Sequence, residues 1–398
     1  MKTERNSSIE LLRLVAMLMI VARHYITLNP FMGQFSTQPL TFTTMFYEWI
    51  VSLGKIGVAI FFIISAWYLC EETHPTIRKG LKRAWILERE VLFYSLGLML
   101  VFVVFQPDLI SKKTIALSFI PTISGSYWWY VTAYALFLVL SPYLTVGLRA
   151  IGKQAHAALC ALLLIIWGLI SGMLPANMLQ LIGTNFIDFL YLYILITFYR
   201  WYLNNWGRKI AWIFVTAGTA LIIGSFIALQ YLGYYLHVDA LRQNAHYLSN
   251  TCVMLPVILV GFGMVLLAES KFYVNRIINY LAGTAFGIYL IQCYPPMRDL
   301  LWIHWFNSGR DYTLPHPILR AIISILLIFF GCMATDCIRK TIFSLTADRR
   351  PGAWFDICAT FIESRKVVQR LRSILLTVPN ETPESVSAAM TKNQTKPV

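Results

Sequence analysis

Apolar residues run along this chain in stretches long enough to cross a bilayer. They fall near 9–27, 45–70, 84–105, 128–147, 157–174, 184–199, 210–231, 250–268, 277–294 and 317–338. A spanning helix needs about 20 predominantly apolar residues. Stretches of that length recurring from end to end predict an all-α, polytopic transmembrane bundle of about ten spans. The first stretch departs from the pattern of the others, because residues 9–27 include Glu10, Arg13, Arg23 and His24. Ionisable groups inside a membrane cost roughly 2.5–3.5 kcal/mol each on insertion scales and mark pathways or partnered sites. At about 100° per residue, Arg13 and His24 share one helical face about 16 Å apart. Glu10 precedes Arg13 by three residues and is placed to pair with it. The stripe Glu10–Arg13–His24, interrupted by Met17 and Ile20, is therefore predicted to face something other than lipid. Arg23 is rotated about 100° from His24 and reads as an interfacial anchor.

Composition and charge sharpen this picture. The chain is 58% hydrophobic and 13% charged, which excludes an ordinary soluble domain. Its net charge of +14 is no sign of nucleic-acid binding, because Lys and Arg gather in short loops, as they do when they set orientation. One set of loops holds Lys2, Arg5, Arg78, Lys79, Lys82, Arg83, Arg149, Lys153, Arg200, Arg208, Lys209, Lys271, Arg276, Arg339 and Lys340. The alternate loops hold only Lys112, Lys113, Arg242, Arg298 and Arg310. That alternation predicts an even number of spans with both termini cytoplasmic and the loop at 28–44 outside. The first stretch is too long for a signal peptide and lacks a small-residue cleavage site. The seven cysteines form no CxxC pair and no metal-ligand spacing, so they read as small core hydrophobes and no metal is expected.

Three regions follow: a membrane domain at 1–340, a basic amphipathic segment at 341–378 and a polar, disordered tail at 379–398. In the second, Trp354, Cys358, Phe361, Val368, Leu371 and Leu375 alternate with Arg365, Lys366, Arg370 and Arg372. That suits a helix lying on an anionic leaflet or packed on the membrane domain. No internal repeat is evident, which counts against transporters built from inverted repeats.

Five stretches in order resemble the acyltransferase-3 family, polytopic enzymes of bacterial membranes. RNSSIELLRLVAMLMIVARHY at 5–25 resembles the family's opening, with Glu10, Arg13 and His24 at its charged positions. GKIGVAIFFIISAWYL at 54–69 is similar to its second span, with Ser65–Ala66 where relatives have Ser-Gly. SYWWYVTAYALFLVLSPYL at 126–144 resembles the aromatic start of its fourth span, and LAGTAFGIYLIQCYPPMRDLLW at 281–302 its ninth. The last span ends, as in many relatives, at an acid and an arginine, here Asp336 and Arg339. Two departures stand out. Gln292 occupies a position where relatives often carry His, and an amide does not relay a proton. The arginine pair spaced three apart at the start of span three is replaced by Lys79, Lys82 and Arg83, with Arg89 flanked by Glu88 and Glu90.

The resemblance implies a multi-pass O-acyltransferase of the bacterial cytoplasmic membrane. It would take an acyl group, acetyl in most cases, from cytoplasmic acyl-CoA. The acceptor would be a hydroxyl of a surface or exported glycan or of a lipid-linked sugar. Acyl-CoA is then a donor substrate, with no permanently bound cofactor; beyond membrane lipids no other partner is implied, and oligomeric state is left open. Such a transfer needs a general base, and histidine has the suitable pKa. It needs a donor to the developing oxyanion and cations for the CoA phosphates. His24 is the candidate base, or else a hydrogen-bonding residue at the outer interface. Arg13, fixed by Glu10, would hold the donor or order the site, with Lys79, Lys82 and Arg83 as further phosphate ligands. The latter three also read simply as orientation signals. Trp128, Trp129 and Tyr130 are either an interfacial aromatic belt or a sugar-stacking surface, and Gln292 and Arg298 are acceptor-side candidates. The tail after the last span shows no serine-hydrolase motif, so relay through a second domain is not expected. A flippase of lipid-linked sugars and a catalytically inactive relative are the rival readings.

Overall fold

The computed structural model describes residues 5–31, 38–125, 127–171, 186–367 and 369–370. All regular structure among them is helical. The long elements are α1 (Ser7–Thr27), α2 (Phe42–Leu69), α3 (Ile77–Phe105), α4 (Trp129–Leu163), α5 (Phe186–Tyr202), α6 (Gly207–Tyr235), α7 (Leu255–Glu269), α8 (Arg276–Ala282), α9 (Ala285–Cys293) and α10 (Pro317–Leu345). Each predicted apolar stretch falls on helix, the ninth on both α8 and α9 and the fifth on the end of α4 and the turn of helix after it, apart from 172–174 and 184–185, which lie outside the described residues. Residues 32–37 of the predicted outer loop and the tail beyond 370 lie outside them as well.

The fourth and fifth stretches share one run of helix, Trp129–Ile170, 42 residues long. Straight, it would measure about 63 Å, twice the roughly 30 Å hydrocarbon core. Gly152 breaks it with φ 74° and ψ 177°, a conformation that a side chain would forbid. By length and charge alone, α2, the Trp129–Ile170 run, α6 and α10 qualify as spans, and a fifth does if the bent segment from Arg276 to Thr313 is counted once. α1 and α3 carry charged residues, and α5 and α7 are 17 and 15 residues long. About ten spans is thus an expectation from the apolar pattern, of which four or five are evident from helix length and composition.

Burial sorts the helices into inner and outer. The most apolar stretch of α2 is 72% buried, whereas that of α6 is 22% buried. Large apolar side chains such as Leu232, Tyr235, Leu327 and Phe330 stand exposed on α6 and α10, as lipid-facing surfaces do. α1 lies at the centre, packed on α2, α7, α8, α9 and α10. Its start is fixed by Asn6, whose side chain accepts from the Ser8 N–H at 3.0 Å, satisfying one orphan donor of the first turn. α1 and α2 meet backbone to backbone at Gly57, where a Cβ would lie 2.5 Å from the Ala16 carbonyl oxygen. On the other side of α2, Phe62 stacks on Phe189 of α5 at 4.2 Å and meets Phe137 of α4 edge-on at 5.0 Å.

The predicted ninth stretch is broken twice. Gly283 and Thr284 separate α8 from α9. After Cys293 the chain bends by 82° at Tyr294, which is extended (φ −62°, ψ 127°) before Pro295, as a residue preceding proline prefers. α10 packs on α9 and is tied to α3 by a buried ionic cluster. Asp336 accepts from Tyr94 Oη at 2.5 Å and from Arg339 Nε at 2.6 Å, and Arg339 also meets Glu90 at 3.0 Å.

The chain divides into two compact units, Met1–Arg349 and Arg350–Val398. α10 continues to Leu345, so the first residues of the predicted amphipathic segment belong to the membrane domain. Among the described residues of the second unit, a helix, α11, spans Ala353–Glu363 and exposes Trp354, Ile357 and Phe361.

Candidate active site

The charged stripe of α1 lines a series of cavities that share walls. At the N-terminal end of α1, a vestibule of about 520 Å³ is bounded by Arg5, Glu10, Arg13, Tyr68, Arg200 and Glu269. Arg13 and Tyr68 also border a large chamber of about 480 Å³, together with Arg83, Glu90, Tyr130 and Tyr134. Phe61, Tyr130 and Phe286 pass from that chamber into a collar of about 30 Å³, room for roughly one water. Met17, Ile20, His24, Val58, Trp129 and Tyr289 complete the collar. Beyond it lies a far chamber of about 190 Å³, which shares His24, Ile20, Val58, Trp129 and Tyr289 with the collar and adds Arg23, Lys55, Cys293 and Arg298. Arg13 and His24 thus stand toward opposite ends of this series of neighbouring cavities. Met17 and Ile20, which interrupt the stripe in the sequence, form the narrow part between them.

Each end has its own electrostatics. Glu10 holds Arg13 by an ion pair of 2.9 Å, the i,i+3 pairing expected from the sequence. Arg83 reaches the large chamber while its guanidinium pairs with Glu72 at 2.7 Å. Lys79 joins the same carboxylate at 2.8 Å and donates to the His74 carbonyl. With those two cations hydrogen-bonded to it, first Lys79 and then Arg83, the Glu72 carboxyl is held down to about 2 from an ordinary 4.5. Lys79 and Lys82 border none of these cavities, so Arg83 alone of the three predicted phosphate ligands faces the passage.

His24 has Nδ1 3.6 Å from the Cys293 thiol and its ring 6.4 Å from that of Tyr289. Gln292 lies beside His24, wholly buried, and neither end of its amide makes a hydrogen bond of normal geometry. The Tyr130 hydroxyl is likewise buried without a hydrogen-bond partner, on the boundary between the large chamber and the collar. Trp129 and Tyr130 line the collar, but Trp128 turns the other way. Its indole is 1% exposed and donates to the Leu290 carbonyl at 3.1 Å, a core position that borders no cavity.

Arg23 packs inward against α2. It lies across Gly54 of α2, where any Cβ would collide with it, and donates to the Val51 carbonyl at 2.7 Å. Sequence reasoning passed over Lys55, Tyr289 and Cys293. Lys55 had a signal, being the sole cation in the second apolar stretch. Tyr289 and Cys293 had none, since both sit in an apolar run and meet His24 only through the packing of α9 on α1.

Residues 6–337 match the family model described as an acyltransferase domain, of the acyltransferase-3 type. No curated protein and no solved structure matches the chain.

Proposed function

Because this chain belongs to the acyltransferase-3 family and is a membrane acyltransferase, we propose that it carries an acyl group, acetyl in the simplest case, from cytoplasmic acyl-CoA to a hydroxyl of a surface or exported polysaccharide. The observation that carries this reading is the position of His24. It stands in a collar between a large chamber walled by Arg13 and Arg83 and a smaller chamber on the far side. Donor and acceptor enter from opposite ends and meet at one imidazole. A flippase would need a bore wide enough for a sugar, and the collar holds roughly one water.

In this mechanism Arg13 and Arg83 hold the donor phosphates, and the thioester reaches along the large chamber to the collar. Nδ1 of His24 is engaged by Cys293, and the other ring nitrogen takes the proton from the acceptor hydroxyl. The hydroxyl oxygen attacks the thioester carbonyl. The Tyr130 hydroxyl, buried and otherwise unpartnered, donates to the oxyanion that forms. Collapse of the tetrahedral intermediate breaks the carbon–sulfur bond, and the CoA sulfur takes the proton back from His24. Gln292 serves by position, packed against the imidazole.

The test is mass spectrometry of surface glycans from cells with and without the chain. The expected result is a mass increment of one acyl group per modified sugar, absent when His24 is replaced. Unchanged glycans in cells that contain the folded protein would remove the reading. Two further outcomes follow. Tyr130→Phe keeps the ring and loses the donor, so kcat is expected to fall by about 10–100-fold with little change in KM for acyl-CoA. Glu72→Gln releases Lys79 and Arg83 from their carboxylate, and KM for acyl-CoA is expected to drop severalfold in steady-state assays. Acidification does not mimic that variant. A carboxyl with a lowered pKa contributes fully above its ordinary value of 4.5 and loses its pairing only as pH falls through about 2.

A further inference from the structure

The far chamber is lined by Arg23, Lys55 and Arg298 and by no carboxylate. Arg298 has Asp299 beside it at 2.9 Å. Among the described residues, Lys55 has no ion pair as close as that of Arg298, and it is 8% exposed. It lies 5.4 Å from the centre of the Trp129 ring. Asp188 is near enough to feel its charge, and that carboxylate accepts from the Cys252 thiol at 3.6 Å. Arg23 is anchored by a neutral carbonyl, not by an acid.

A buried cation is costly unless it is paired. Arg23 and Lys55 bring two positive charges to the same cavity of about 190 Å³, where they repel each other, while Arg298 beside them is half-exposed and paired with Asp299. An anion placed among them offsets both costs, and arginine forks match the oxygens of a carboxylate or a phosphate. His24 is a wall of this same chamber, so whatever the cations hold is presented to the imidazole. We propose that the far chamber is an anion site and that the acceptor is an acidic glycan. The sugar whose hydroxyl meets His24 carries a carboxylate or phosphate held by Arg23, Lys55 and Arg298. The role of that ligand as acceptor rests on the acyl-transfer reading; the sign of its charge does not.

The experiment uses the full chain in lipid nanodiscs and follows tryptophan fluorescence, with Trp129 in the chamber wall. The probes are methyl glucuronoside, the methyl ester of the same compound, glucose 1-phosphate and neutral methyl glucoside. At least one of the two anions is expected to bind about tenfold or more tightly than its neutral counterpart. Preference for the glucuronoside identifies a sugar acid, and preference for the phosphate a phosphorylated sugar. Lys55→Met and Arg23→Gln should each remove about tenfold of that preference while leaving the neutral sugars as they were. The ester comparison needs no variant and so survives a variant that fails to fold. Equal binding of acid and ester together with equal binding of phosphate and glucoside overturns the proposal, as does failure of both anions to bind. No donor is present in these titrations. Anion binding without any acyl shift on glycans would therefore leave the site standing and remove the transfer reading; acyl transfer without anion binding would do the reverse.

Discussion

Replacing His24 by alanine is expected to lower acyl transfer by about 10²–10⁴-fold, the usual contribution of a positioned general base. The loss should fall on kcat. His24 borders the collar and the far chamber but not the large chamber where Arg13 and Arg83 stand, so KM for acyl-CoA should move little. Steady-state kinetics on the purified chain, with donor binding measured separately, tests both halves. His24→Gln preserves most of the side-chain volume and tests the proton transfer itself, and it should be as inactive as alanine. A folded His24→Ala variant that transfers at the parental rate would eliminate general-base catalysis at this position. Cys293→Ala, by contrast, removes a weak contact to Nδ1 and should leave most of the activity in place.

The largest expected loss of stability comes from the cluster that joins α3 and α10. Arg339 is 5% exposed and meets Asp336, which is wholly buried, and Glu90. Arg339→Leu would leave those two carboxylates facing each other without a cation. Breaking one side of a buried ionic group in this way costs about 3–5 kcal/mol. Denaturation in mixed micelles should register that difference, and melting in detergent should shift down with it. The double variant Arg339→Leu with Asp336→Asn should recover part of the loss, because fewer charges are stranded. An unchanged melting profile for Arg339→Leu would show that the cluster contributes nothing to the fold. Glu90 also borders the large chamber, so an unpaired Glu90 is expected to raise KM for the donor as well.

Much of this arrangement is legible along the chain. Apolar length placed the helices, since a bilayer-sized stretch has no soluble alternative. The expense of burying charge singled out Glu10, Arg13 and His24 before any neighbour was known, and α1 is indeed at the centre of the bundle. The same reasoning applies to Lys55, the sole cation of its apolar stretch. What the chain could not disclose is what packs on α1. Trp128, Trp129 and Tyr130 are equivalent as letters, yet one is core and two line the collar, because Trp128 precedes the first turn of α4 with non-helical φ −132° and ψ 82°. Arg23 looked like an anchor until α2 offered Gly54 as a place for it to lie. Gly152 and the Tyr294–Pro295 bend carried local signals, and their consequences depend on helices distant in sequence.

The collar has one more consequence. A passage with arginines at one mouth and three cations at the other would, if open, be a conduit for anions. Met17, Ile20, Val58, Phe61 and Phe286 narrow it to a collar of about 30 Å³, and tight, mostly apolar constrictions hold back ions. On the proposed mechanism an acyl group would pass between the two chambers by chemistry, with no open bore for ions to follow.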